Sequence, residues 1–315
     1  MPLITGRTRV LEVLAEADAR GWVLPAFNSE NLTTMEAVLA ATLEHSHARG
    51  TSNLPIIIDI TNTYRHRPQT VNYTHTRRWE VGLKLFLADL RVLCEPPSPY
   101  ADLRVLVHLD HIQWNSDAAL LAGDLSGFSS IMFDASTLPL EENIARTAAF
   151  VATHGRTLLI EGACDEIAAA GHAAAGDNVT EPATAERFWR ATGVDVVVAN
   201  LGTEHRASDS CLHYRGDLAR AITARIGPRL CLHGASSVAP DRLGTLFADG
   251  VRRVNLWTAL ERDSTPVLLR AMLTHAERLA GPGARLEYFT TAWRQEIIFH
   301  EMKRIVRHYL DLWYA

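Results

Sequence analysis

Eight short apolar runs, separated by longer segments of helical pattern, restrict the folds open to this chain more than any other feature. The runs are WVLPAFN, LPIIIDI, LRVLVHLD, SSIMFDAS, TLLIEGA, VDVVVANLG, RLCLHGAS and RRVNLWTA. Between them lie amphipathic segments such as TTMEAVLAATLEHSHA, EENIARTAAFVATH, TAERFWRATG and DRLGTLFADG. The runs are apolar almost throughout instead of alternating, as parallel strands are when helices cover them. Several helical segments finish at a glycine before the next run, as at Gly155, Gly193 and Gly250, where a C-terminal cap belongs. Eight such units predict an α/β fold, a (β/α)8 TIM barrel. An open doubly wound sheet is the alternative, but no GxGxxG follows any run.

The chain of 315 residues is read as one barrel domain, 1–315, with two additions. DEIAAAGHAAAGDNVTEP, too Ala/Gly-rich and too long for a simple turn, reads as a mobile active-site loop over about 163–182. TAWRQEIIFHEMKRIVRHYLDLWY predicts a C-terminal helix over about 290–313, packed on the barrel or on a second subunit. A net charge of −5, with scattered Lys and Arg, speaks against a nucleic-acid partner. Cys94, Cys164, Cys211 and Cys231 form no CxxC, so neither a disulfide framework nor a thiolate zinc site is indicated. MPLITGRTRV lacks the apolar core of a signal peptide and no run has the length of a membrane span. A soluble, cytoplasmic setting without a membrane partner is expected.

A barrel of this kind carries its chemistry at the C-terminal ends of its strands. The last residues of the runs are Asn28, Thr61 with Asn62, Asp110 with His111, Asp134, Glu161, His205, His233 and Asn255. Three of the eight ends therefore bear histidine. Imidazoles from separate strands converging on one mouth provide the neutral nitrogen ligands of a catalytic Zn2+ and leave a position open for substrate. HLDH, residues 108–111, is the densest of these ends. His108 is read as a core or supporting group, His45 and His47 as surface residues of an amphipathic helix, and His213 as a loop residue.

In order and spacing, LPAFN, HLDH, GFSSIMFDASTLPLEENI, GTEH, LHGAS and GVRRVNLWT resemble the class II, metal-dependent fructose-bisphosphate and tagatose-bisphosphate aldolases. The resemblance runs along nearly the whole chain. It implies a zinc-dependent aldolase, an aldehyde-lyase on a (β/α)8 barrel, working as a homodimer or larger homo-oligomer. It implies His111, His205 and His233 as zinc ligands and Asp110 as the acid/base on the hydroxyl where the C–C bond breaks. Asn255 matches a substrate contact and Asp134 an acidic position near the metal pocket. Breaking a C–C bond beside a ketone leaves an enolate, whose developing charge a Lewis acid such as Zn2+ stabilises. A carboxylate beside a ligand is placed to move the hydroxyl proton.

The phosphate site of that family is built from glycine backbone and small hydroxyl residues in GTxHG, HGGSG and NxDTD. Here the corresponding stretches read GTEHR, HGASS and NLWTA. Gly234, Ser236 and Thr258 are kept, while Arg206 replaces a glycine and Trp257 an aspartate. Asn28, Thr61, Arg206, Gly234, Ser236, Asn255 and Thr258 are the expected substrate contacts. Glu161 is retained, but the paired acids of the following loop have no clear counterpart. Asp165, Glu166, His172 and Asp177 are open candidates for the donor-carbon proton. Arg206 offers a planar fork suited to a carboxylate as well as a phosphate. The leading reading is a zinc aldolase of secondary metabolism, joining an anionic ketone donor (a 2-oxo acid or modified ketose) to an aldehyde acceptor. The alternatives are a conventional ketose-bisphosphate aldolase with dihydroxyacetone phosphate as donor, and a non-catalytic barrel that binds zinc and a sugar phosphate.

Overall fold

A computed structural model of the chain describes residues 3–51, 53–167, 179–204 and 213–314. Eight parallel strands close into a barrel: β2 (Leu24–Asn28), β3 (Pro55–Thr61), β4 (Arg104–Gln113), β5 (Ser130–Asp134), β6 (Leu159–Ala163), β7 (Val196–Val198), β8 (Leu230–Leu232) and β9 (Val251–Leu256). Each pairs with its neighbours in chain order, and β9 closes the ring on β2, with Leu24 beside Arg253 and Ala26 beside Asn255. Helices alternate with the strands and cover them, so that β2, β3, β5 and β6 are buried at every position. The eight runs in the sequence correspond one for one to these strands. A further strand, β1 (Leu3–Ile4), was not anticipated. It lies parallel to β4 and is fastened there by Ser129, whose hydroxyl donates to the Ile4 carbonyl. Two residues are too few to show a periodicity.

The barrel interior is unusually polar one layer below its mouth. Asp59, His108, Ser130, Glu161 and Arg253 project inward from five strands and meet there. Arg253 lies 3.3 Å from Glu161, 3.6 Å from Asp59 and 3.2 Å from the His108 ring. Burial, reinforced by Arg253, lowers His108 to about 3, so this histidine is neutral in the fold. Its Nδ1 meets the Ser130 hydroxyl at 2.8 Å. Its reading as a supporting core group agrees with that position.

The C-terminal helix spans Thr291–Trp313, close to the expected limits, and packs against the helix Leu32–Ala48. Trp313 donates from its indole to the Leu243 carbonyl at 2.9 Å, and Tyr314 donates its hydroxyl to Pro55. Two details of the sequence reading need correction. His45 is not a surface residue: it is buried in this helix contact, with Nδ1 3.0 Å from Asp311. The segment DRLGTLFADG forms a short 3-10 turn over Pro240–Thr245 instead of an amphipathic α-helix. Gly244, a poor helix former, sits inside that turn. Gly155 caps its helix in the right-handed region (φ −65°), whereas Gly193 adopts the left-handed cap at φ 71°. Among the described residues no helix is long and apolar enough to cross a membrane.

Glu261 lies in the first turn of the helix Thr258–Thr274, with one carboxyl oxygen buried and unpartnered. Burial, with the nearby Glu30 charge, pushes this carboxyl up to about 7 from an ordinary 4.5. Its folded value lies above the unfolded one, so the associated stability is complete below pH 4.5 and is lost as pH rises through about 7. Glu261→Gln is expected to stabilise the fold by about 1–3 kcal/mol at pH 8 and by little near pH 4.5. Urea unfolding at the two pH values measures this; an equal effect at both would show that the carboxyl ionises at no cost.

Candidate metal centre and active site

Consecutive residues of a strand point to opposite faces, so Asp110 and His111 ought not to share one mouth. The backbone resolves the conflict. The β4–β5 register shifts between Leu109 and Ile112, and His111 takes φ 49°, in the left-handed region. Such a bulge re-aims a side chain. Asp110 keeps the inward direction of His108, and His111 is turned toward Asp134 on β5 and His233 beyond the end of β8.

There the two imidazoles meet, with His111 Nε2 3.1 Å from His233 Nδ1. The outer nitrogen of each ring faces a carboxylate: His111 Nδ1 is 3.0 Å from Asp134 and His233 Nε2 is 3.1 Å from Glu161. A carboxylate only accepts, so each ring carries its proton on the outer nitrogen and turns a lone pair toward the other ring. Two facing lone pairs repel unless a proton or a metal cation lies between them. The pattern of an imidazole whose second nitrogen is held by a carboxylate is that of a metal ligand.

The electrostatics point the same way. Burial alone would raise the Asp134 carboxyl, but His111 and the Ser136 hydroxyl and amide hold it at about 2. Burial likewise opposes ionisation of Glu161, which Arg253 and His233 hold at about 2. Burial would lower His111, and the charges of Asp110 and Asp134 outweigh it and raise the ring. The carboxylates thus demand positive charge at this point. Tyr64 stacks flat on the His111 ring, centroids 4.4 Å apart, and covers it.

Asp110 is fully buried, and both its oxygens are occupied. Asn255 donates to Oδ1 at 3.0 Å; Asn28 (3.1 Å) and Arg67 (2.6 Å) donate to Oδ2. Burial opposes the charge, but His111, His233 and Arg67 keep Asp110 well below the usual carboxylate range. The ligand atoms of Asp110, His111 and His233 lie within 4.8 Å of one another, and so do those of Glu161, Cys231 and His233. The facing nitrogens of His111 and His233 in the first group are the better cation site. Burial pushes the Cys231 thiol well up, so it remains protonated, and Glu161 already occupies the outer nitrogen of His233.

Of the other expected site residues, Gly234 sits at φ 70°, where a Cβ would come within 2.7 Å of the Glu204 carbonyl. Ser236, Asn255 and Thr258 line a small cavity with Asp110, and the Ser236 hydroxyl is buried without a partner. Thr61 is turned to the loop after β3, donating to the Arg67 carbonyl. Asp165 and Glu166 line a larger cavity of about 530 Å³ on the Asp134 side of His111, where Asp165 accepts from Thr180 at 2.7 Å. His205, Arg206, His172 and Asp177 lie outside the described residues. Glu204, which precedes His205, is described, and its amide donates to Ser237 at 2.9 Å beside His233. Sequence reasoning missed Arg67, Tyr64 and Arg253. For the first two, the only available signal was their place in the loop after an active-site strand.

A parallel (β/α)8 barrel with facing imidazoles and an ionised carboxylate at its mouth has the architecture of a barrel enzyme, with residues that could hold a metal ion. Residues 8–314 match the family described as fructose-bisphosphate aldolase class-II, and the chain belongs to that family. It is therefore an aldolase, a lyase that makes or breaks C–C bonds, of a family that is generally metal-dependent. A fructose-bisphosphate aldolase of Treponema pallidum (strain Nichols) is 29% identical over 260 residues, 74% of this chain and 70% of the relative. One from Giardia intestinalis is 26% identical over 316 residues, 90% of this chain and 88% of the relative. The fold resembles the crystal structure of a fructose-bisphosphate aldolase from Campylobacter jejuni (TM-score 0.76, 17% identity, covering 99% of this chain and 94% of the other). It also resembles the YdjI aldolase of Escherichia coli K12 (TM-score 0.68, 18% identity, 96% and 95%).

Glu161→Gln and Asp134→Asn each replace the acceptor behind one imidazole. Each is expected to weaken metal binding about 10–100-fold, measured by competition with a chromophoric chelator. Unchanged affinity in both variants would show that these carboxylates do not orient metal ligands.

Proposed function

We propose that the protein is a zinc-dependent aldolase acting on an anionic ketone donor and an aldehyde acceptor. The observation that carries this reading is the pair of imidazoles, protons held outward by Asp134 and Glu161, beside a buried, ionised Asp110. His111 and His233 would hold the metal with His205, and all three donors are neutral nitrogens suited to zinc. Zinc, when bound, supplies Lewis-acid stabilisation of the negative charge that appears on the donor as the C–C bond breaks.

This chain's residues do the rest. In cleavage Asp110 takes the proton of the hydroxyl on the acceptor half, and the aldehyde carbonyl forms there. The electrons of the C–C bond pass to the donor half, whose carbon then receives a proton. Asp165, Glu166 and His172 are the candidates for delivering it, the first two from the wall of the larger cavity. Asn28 and Asn255 fix the Asp110 carboxylate toward the barrel axis through both oxygens. The kept Gly234, Ser236 and Thr258 support a donor site next to Asp110, with Arg206 as a further cation. The names of the curated relatives favour a conventional ketose bisphosphate as donor; Arg206 and Trp257, in place of a glycine and an aspartate, favour a different anion. Assembly as a homodimer or larger oligomer is part of the proposal, supported by the exposed Leu269, Leu273, Leu286 and Phe289 near the C-terminal helix.

Chelation is expected to abolish turnover and zinc to restore it. Asp110→Asn is expected to retain the metal while kcat falls by a factor of about 10²–10⁴. Metal analysis and steady-state kinetics on the same preparation check both. Loss of metal in the variant would make Asp110 structural, and unchanged turnover would remove it from the mechanism.

A further inference from the structure

The cavity beside Asp110 has a volume of only about 20 Å³, room for roughly a single water. What fills it is Arg67, from the loop after β3, lying over the Trp257 ring at 5.0 Å. Trp257 is anchored by its indole N–H, which donates to Glu30 at 2.6 Å, and Gln69 donates to the same Glu30 oxygen at 2.9 Å. The Arg67 backbone is held as well, its carbonyl accepting from Thr61 and its amide donating to Tyr64 at 2.8 Å. The side chain is 11% exposed, and its hydrogen bonding is incomplete. Nη2 donates to Asp110, while Nε is buried without a partner. The Ser236 hydroxyl, in the wall of the same cavity, is likewise buried and unpartnered.

Unsatisfied donors that line one cavity are costly unless a ligand completes them. Nε and Nη2 form one edge of the guanidinium, the edge that takes a carboxylate through two parallel hydrogen bonds. A cation–π contact with Trp257 holds the guanidinium beside that ring. Asp110 uses half of it, and would keep the Asn28 and Asn255 amides if Arg67 turned to another anion.

Resting on the aldolase reading above, we propose that Arg67 is a specificity-determining residue that binds the carboxylate of a small 2-oxo acid donor. The confined space favours a carboxylate over a phosphoryl group, which is tetrahedral and bulkier. As the donor enters, its carboxylate takes the Nε edge of Arg67, the Ser236 hydroxyl donates to it, and the ketone is carried toward His233. Trp257, where relatives of this family have an aspartate, is the platform that makes the arginine usable.

The test compares a charged donor with a neutral one of similar size. Deuterium exchange at the methyl groups of pyruvate and of hydroxyacetone is followed by NMR for the zinc-loaded wild type, Arg67→Met and Arg67→Lys. Pyruvate and inorganic phosphate binding is measured by calorimetry, with and without zinc. Arg67→Met is expected to weaken pyruvate binding about 10²-fold, the usual consequence of removing one partner of a buried charge pair. The exchange of pyruvate relative to hydroxyacetone should fall in proportion, with metal content unchanged and Arg67→Lys intermediate. Pyruvate and hydroxyacetone declining together would overturn the proposal, leaving Arg67 as a counter-ion of Asp110. Loss of phosphate binding instead of pyruvate binding would overturn it in favour of a phosphorylated donor. If the zinc-loaded wild type exchanged neither ketone, the reading of a non-phosphorylated ketone donor would fail. Pyruvate binding that still depended on Arg67 would then sustain the carboxylate site, and its absence would overturn that too.

Discussion

Two imidazole lone pairs facing each other at 3.1 Å are an arrangement that a folded protein must justify, and much of this barrel is organised around it. Asp134 and Glu161 hold the outer protons, so neither ring can relieve the repulsion by changing tautomer. Behind Glu161 stands Arg253, and behind Arg253 stand Asp59 and His108, all buried in the barrel interior. Desolvating so many polar groups costs several kcal/mol per ion unless each is compensated. Here compensation comes in a chain, from arginine to glutamate to histidine to the point where a cation is wanted. A cation at that point completes the chain.

The bulge in β4 is the local device that makes the site. A regular strand would have sent Asp110 into the barrel and His111 into the helical layer. The left-handed residue at His111 brings a carboxylate and an imidazole, neighbours in sequence, to the same mouth. Backbone conformations of this kind cost about 1–3 kcal/mol and persist where surrounding structure holds them. The Asp134 contact, the Tyr64 stack and the pairing of Ile112 with Phe133 provide that hold.

Around this centre the two sides of the mouth differ. On the Asp134 side a cavity of about 530 Å³ carries Asp165 and Glu166, space enough for a polar acceptor. On the Asp110 side the loop after β3 folds Arg67 against Trp257 and leaves almost no open volume.

The eight strands, the C-terminal helix and the polar strand ends were legible in the sequence, because each follows from local periodicity or from the rule that barrel chemistry sits where strands end. His111, His233, Asp110, Asn28 and Asn255 were found this way, and the structure brings them together. The 3-10 turn at Pro240–Thr245, the burial of His45 and the strand Leu3–Ile4 were not legible. In each, a distant partner outweighs or completes a short local signal, as Asp311 on the last helix does for His45. Arg67 and Arg253 show the same limit at the site. Arg67 meets Asp110 43 positions away, and Arg253 meets His108 across 145. A sequence states which residues can end a strand facing the axis, since that depends on period alone. Which loop folds back over that end, and which buried charge answers another across the barrel, is decided by closure of the sheet, which sets residues far apart in the chain within hydrogen-bonding distance.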